Sequence, residues 1–150
     1  MPQFEKRRSQ YRMSTDRDQI DVAATHAFLT RSYWAEGISI ELVERSIANS
    51  LCFAVFDDER QVAFARVVTD RATFAYLCDV YVLEECRGRG LGKWLVDEVT
   101  AHPDLQGLRR FVLVTKDAHS LYAGNGFQPL ANPAGFMEIA VPGIYKRVAG

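Results

Sequence analysis

A strand–turn–helix–strand pattern between residues 73 and 115 limits this chain to few folds. Residues 73–83 carry Phe74, Tyr76, Leu77, Val80, Tyr81 and Val82 nearly without a break, as a strand covered on both faces does. The glycine-rich run Arg87-Gly88-Arg89-Gly90-Leu91-Gly92-Lys93 follows. Leu91, Trp94, Leu95 and Val99 then recur at i, i+3, i+4 and i+8, the spacing of one helical face. His102-Pro103 stops that helix, and Phe111 opens a second buried-type strand that ends at Thr115. Two strands joined through a helix run parallel with a right-handed crossover. The sequence therefore predicts a βαβ unit.

Upstream, residues 51–56 and 62–69 read as a hairpin around a polar turn, and with residues 73–83 they form an antiparallel meander. Thr15-x-x-Asp18 has the form of a capping box, followed by Ile20, Ala23, Ala24, Ala27 and Phe28 on one helical face. A second helix is expected after Ser39, with Ile40, Val43 and Ile47 turned inward and its end near Asn49. Residues 11–14 read as a first edge strand. Residues 1–10, with the run Lys6-Arg7-Arg8, read as a loose, solvated tail. Downstream, a short helix over 118–123 and closing strands over 127–130 and 137–141 are expected. No repeat or linker interrupts the pattern, so residues 1–150 read as one mixed α/β (α+β) domain.

A net charge of −1 gives no support for a nucleic-acid partner held by overall charge. No window reaches the apolar length of a membrane-spanning helix, and the first residues lack a secretory h-region; a cytoplasmic protein is expected. Cys52, Cys78 and Cys86 form no CxxC pair and His26, His102 and His119 are scattered, so no metal site is predicted.

The glycine run has the makings of an anion cradle. Glycine admits positive φ and close approach of a ligand to the main chain, and the first N–H groups of a helix lack partners and favour negative charge. Arg87, Arg89 and Lys93 add positive charge. A Walker A loop is excluded: counting back from Gly92 puts Arg87 at its first glycine, and Trp94 follows the lysine. The dinucleotide fingerprint is excluded too, because the third glycine arrives one residue early. What remains is Arg-x-x-Gly-x-Gly at Arg87, Gly90 and Gly92.

With the strand before it, this run resembles the acetyl-CoA-binding motif of the GNAT N-acetyltransferase superfamily. Independently, Ala118-x-x-Leu121-Tyr122-x-x-x-Gly126-Phe127 resembles that superfamily's C-terminal motif. The resemblance implies a GNAT-like fold: antiparallel N-terminal strands, then a βαβ unit whose parallel strands splay apart to admit pantetheine. It implies backbone contacts from Tyr81 and Val82 to the pantetheine amides, and a pyrophosphate held by Arg87, Gly88, Arg89, Gly90, Leu91, Gly92 and Lys93. It implies a cofactor contact from Thr115 as well, which stands where an asparagine is common; Glu84 stands where a proline is common.

Acetyl transfer from a thioester to an amine needs a neutral amine, a donor for the oxyanion and an acid for the leaving thiolate. The resemblance implies Tyr122 as the acid, and a free N–H near Val80 suits the oxyanion. The family's strand glutamate is replaced by Tyr76, leaving Asp79 as the carboxylate inside the strand. Asp79 is either a base or a structural partner of a cation such as Arg66; an ordered-water relay is a third route. Tyr33 and Trp34 either cap the core or line the acceptor cleft. The expected activity is acetyl transfer from acetyl-CoA to a primary amine of a small molecule or peptide by direct attack on the thioester, with a homodimer compatible with the resemblance. The alternative is a non-catalytic sensor or interaction module that binds CoA or acetyl-CoA.

Overall fold

The computed structural model describes residues 4–148. A mixed six-stranded sheet in sequence order, β1 (Glu5–Arg8), β2 (Tyr11–Ser14), β3 (Leu51–Asp57), β4 (Arg60–Thr69), β5 (Phe74–Val82) and β6 (Arg110–Leu113), forms its centre. Every neighbouring pair is antiparallel except β5 and β6. These two are parallel and joined through α3 (Leu91–Ala101), the βαβ unit the pattern predicts.

Alternation along β3 explains why its sequence is apolar throughout. Leu51, Phe53 and Val55 join the core under α3, with Trp94, Leu95 and Val99. Cys52, Ala54 and Phe56 join the core on the other face. That second core is closed by α1 (Val22–Leu29) and α2 (Ile40–Ala48), through Leu29, Val43 and Ile47. Ser39 caps α2 by accepting from the Leu42 N–H; Val43 and Ile47 are buried as expected, whereas Ile40 is exposed.

Three expectations are corrected. Glu5–Arg8 is a strand, not a loose tail: Phe4 packs edge-on against Phe53 and His102, and Lys6 pairs with Glu98 at 2.9 Å. Residues 1–3 of that tail lie outside the described residues. Second, Thr15 caps no helix. Its hydroxyl accepts from the Phe4 N–H, and Asp21 caps α1 instead, accepting from the Ala24 N–H at 2.9 Å. The helix therefore starts later than the capping-box form implies, and Thr25 and Leu29 are the residues it buries. Third, residues 127–130 and 137–141 form no strands. Pro129 removes a ladder donor from the first, and the last described α-helices are the short α4 (His119–Ala123) and α5 (Ile144–Val148) instead.

Candidate active site

β5 outruns its parallel partner. The two pair only from Phe74 with Arg110 to Leu77 with Leu113, so among the described residues β5 beyond Leu77 has no neighbour on that side. A β-bulge adds to the divergence: Asp79 and Val80 together face the single Ala65 of β4, and Asp79 takes φ +53°. A bulge bends and twists its strand. It also shifts the alternation, for Ala75 and Leu77 face α3 before it and Val80 and Val82 after it.

The resulting gap is a cleft of about 340 Å³. Val80, Tyr81 and Val82 line one wall, Ala118, Leu121 and Tyr122 the other, with Gly88, Gly90 and Gly92 at its end. The Leu83 N–H donates to the Val62 oxygen at 2.9 Å. Antiparallel alternation then turns the Tyr81 backbone toward β4 and the Val82 backbone toward the cleft. Val82, rather than Tyr81, is thus positioned to bond an extended ligand, and Val80 is left out of the ladder by the bulge. Tyr81 contributes structure: its ring stacks on Phe28 at 3.9 Å and its hydroxyl accepts from Gln61.

At the cleft's end, Gly88 and Gly90 take φ of +81° and +78°, conformations that cost a residue with a Cβ roughly 1–2 kcal/mol. Gly90 is the N-cap of α3 and has no side chain to cap it, which leaves the N–H groups of Leu91, Gly92 and Lys93 open to an anion. A Cβ on Gly92 would stand 3.9 Å from both Val82 and Leu121, in the slot between the walls.

The three cations of the run have separate fates. Arg87 donates to the Val82 oxygen at 3.1 Å, at the mouth of the cleft. Arg89 turns back to the Tyr11 hydroxyl at 2.8 Å, and Lys93 pairs with Asp97 at 3.0 Å. A cation that the sequence reading treats as solvated takes their place: the Arg8 guanidinium lies 3.9 Å from where a Gly90 Cβ would be and over the Trp94 ring. Only the run Lys6-Arg7-Arg8 signalled it.

Tyr122 is a buried residue of the second wall. Burial raises its pKa above the usual phenol value, helped by Tyr33 and Asp117, so the phenol stays protonated at neutral pH. Thr115 accepts from the Ala118 N–H at 3.1 Å and so starts the turn into α4. The loop after α1 roofs the cleft. Trp34 is half-exposed there and Tyr33 exposed, so they do not both cap the core. Lys116, from beyond β6, lies over the Tyr33 ring at 5.2 Å.

Asp79 resolves toward pairing. Its Oδ1 accepts from the Trp34 indole N–H and its Oδ2 from Arg66 Nε, each at 2.8 Å. The carboxylate that the sequence offered as a base therefore fixes the roof and a strand cation together. Burial pushes the thiols of Cys52 and Cys78 up to about 12, which makes both poor nucleophiles. A larger cavity of about 730 Å³, between Phe4, Arg17, Cys52 and His102, shares no lining residue with the cleft.

Residues 48–129 match the family described as acetyltransferase (GNAT) domain. The chain belongs to the GNAT acetyltransferase family. A Gibberella zeae protein named as an acetyltransferase is 30% identical over 141 residues, covering 79% of this chain and 78% of that one. The crystal structure of a GNAT-family acetyltransferase from Xanthomonas campestris pv. campestris is similar at a TM-score of 0.88 and 56% identity, covering 90% of this chain and 96% of that one. A Clostridium acetobutylicum acetyltransferase solved with acetyl-CoA shares the fold at a TM-score of 0.63 and 17% identity, over 87% and 94% of the two chains. Acetyl transfer from acetyl-CoA is the general reaction of the GNAT family. Among the described residues, no helix is long and apolar enough to cross a membrane and no group of three or more His, Cys, Asp or Glu is placed to hold a metal ion.

Proposed function

We propose that this GNAT protein acetylates a primary amine of a small molecule or peptide by direct attack on acetyl-CoA. The observation that carries the proposal is the cleft between β5 and α4, with open N–H groups at one end and a buried, protonated phenol along its wall. Pantetheine enters as an added strand against Val82, and the pyrophosphate rests on the N–H groups of residues 88–93 beside Arg87 and Arg8.

The amine lone pair attacks the thioester carbonyl carbon; the C–N bond forms, the C–S bond breaks, and the electron pair leaves on sulfur. The Val80 N–H donates to the oxyanion. Tyr122 donates its proton to the departing thiolate. The attacking amine loses its proton to water, because the Asp79 carboxylate serves as the counter-charge of Arg66. Direct attack is favoured over an acyl-cysteine route because Cys78, the thiol at the bulge, is held protonated by burial.

We further infer a homodimer. Met137 and Ile139 are 95% and 100% exposed, Val114 is 84% exposed, and among the described residues β6 is an edge strand with no further strand paired to it. Exposed apolar residues beside an open strand edge favour association. The unpaired cysteines fit a reducing, cytoplasmic setting.

The test is incubation with acetyl-CoA and a broad panel of amines, following thiol release. Acetylated amine with stoichiometric CoA supports the proposal. CoA binding without release of thiol from any amine would replace it with the sensor reading.

A further inference from the structure

The cavity on the far side of the bulge bears on the acceptor. It holds about 500 Å³, the size of a small-molecule site. It meets the cofactor cleft at Trp34, which lines both. Along β5 the two spaces are consecutive: Tyr76, Cys78 and Asp79 face this one, and Val80, Tyr81 and Val82 face the other. An amine reaching the thioester from here passes Asp79.

The charges in this cavity are ordered. At the inner end, Asp79 is the carboxylate, and each of its oxygens, having accepted one internal hydrogen bond, has a lone pair left for an ammonium. Arg66 is engaged there, with Nε on Asp79 and another nitrogen on the Ser50 hydroxyl at 3.1 Å. Arg45, in the last turn of α2, is different. It lines the cavity, is exposed, and forms no salt bridge among the described residues. The neighbouring Asn49 amide donates to the Arg45 carbonyl at 2.9 Å, so its oxygen remains free. Ile38 and Leu42 supply apolar wall.

We propose that the acceptor is a small primary amine carrying a carboxylate or phosphate at its other end. Its ammonium is drawn to Asp79 at the bulge, and its anionic group is held by Arg45. The polarity of the cavity orients the amine toward the thioester. The proposal rests on the acetyltransferase reading and adds the acceptor's chemistry to it. A plain helix-end role for Arg45, opposite the partial negative charge of the α2 C-terminus, predicts no dependence on acceptor charge.

The experiment uses the full chain with acetyl-CoA and three matched series of primary amines of equal length: amino carboxylates, aminoalkyl phosphates, and the uncharged amides and alcohols. The expected result is a kcat/KM at least about tenfold higher for an anionic series than for the uncharged one, as a charged hydrogen bond supplies. Arg45→Gln should reduce that ratio about tenfold, and Arg45→Lys should restore part of it. Preference for carboxylates over phosphates, or the reverse, supports the proposal and identifies the group. Equal turnover of charged and uncharged amines overturns it and leaves the acetyltransferase reading intact, as does an unchanged ratio in Arg45→Gln. CoA binding with no amine acetylated overturns both.

Discussion

Gly92 separates what the fold requires from what the cofactor requires. It lies in the first turn of α3 with a helical, negative φ, so an added Cβ strains nothing in the backbone. The Cβ would sit 3.9 Å from Val82 and Leu121, in ordinary contact, so the protein alone has room for it. Alanine improves on glycine in a helix by up to about 1 kcal/mol, and near the end of α3 about half of that is a fair expectation. That raises Tm by about 1–2 °C for a chain of this length. A bound pantetheine–pyrophosphate arm would meet the same methyl in a filled slot. Forcing one extra methyl into a packed contact costs about 1–3 kcal/mol, or about a fivefold to 150-fold loss of CoA affinity. Gly92→Val adds two further methyls and should abolish measurable binding. Thermal melts report the stability change and titration calorimetry the CoA Kd. The expected pair is stability retained or raised with affinity lost. A Kd within twofold of the parent in both variants would refute the placement of the cofactor; loss of both stability and binding would show that Gly92 serves the fold.

Tyr122→Phe should lower kcat about a hundredfold to ten-thousandfold with the CoA Kd nearly unchanged; stopped-flow thiol release beside calorimetry checks the split, and an unchanged kcat removes the phenol from the mechanism. Asp79→Asn keeps an acceptor for Trp34 but leaves Arg66 without its counter-charge at a site where the two side chains are only 10% and 18% exposed, so unfolding in urea should show a loss of about 2 kcal/mol. A kcat abolished at saturating amine, with stability intact, would instead make Asp79 the base. His102 lies between Phe4 and Phe53 with Nδ1 accepting from the Asp104 N–H at 3.0 Å, and burial holds its pKa below the usual value. Its neutral form is the one the fold prefers, so stability is full above the unfolded pKa of about 6.5 and falls as pH drops below it. His102→Asn, which keeps an acceptor without titrating, should lessen the decline in urea midpoint between pH 7 and pH 5. Ile139→Asp should convert a dimer into a monomer in sedimentation velocity; a monomeric parent contradicts the homodimer.

The βαβ unit was legible because each part carries its own local signal: an unbroken apolar strand at 73–83, glycines at the turn, and helical spacing from Leu91 to Val99. The ends of the chain were not. Phe4 is one apolar residue among charged ones, and β1 exists because that side chain finds Phe53 and His102, far away in sequence. At α1, local spacing points to a cap at Thr15 and could not say that its hydroxyl is taken by Phe4 and that Asp21 caps the helix. Within the site, the glycine backbone was foreseeable from composition. The fates of its cations were not, because Arg89 is drawn to Tyr11 and Arg8 arrives from the opposite end of the chain. The dual role of Asp79 as partner of Trp34 and Arg66 depends on a bulge, and nothing in the alternation of β5 announces the extra residue.

Everything proposed for the chemistry depends on acetyl-CoA binding between the splayed ends of β5 and β6. A crystal structure of the protein with CoA tests it most directly. The expected complex has pantetheine between Val80–Val82 and Ala118–Tyr122, its amides bonded to the Val82 backbone, with the pyrophosphate on the N–H groups of residues 88–93. CoA seated in the larger cavity beside Arg17 and His102, with the splayed gap empty, would contradict it.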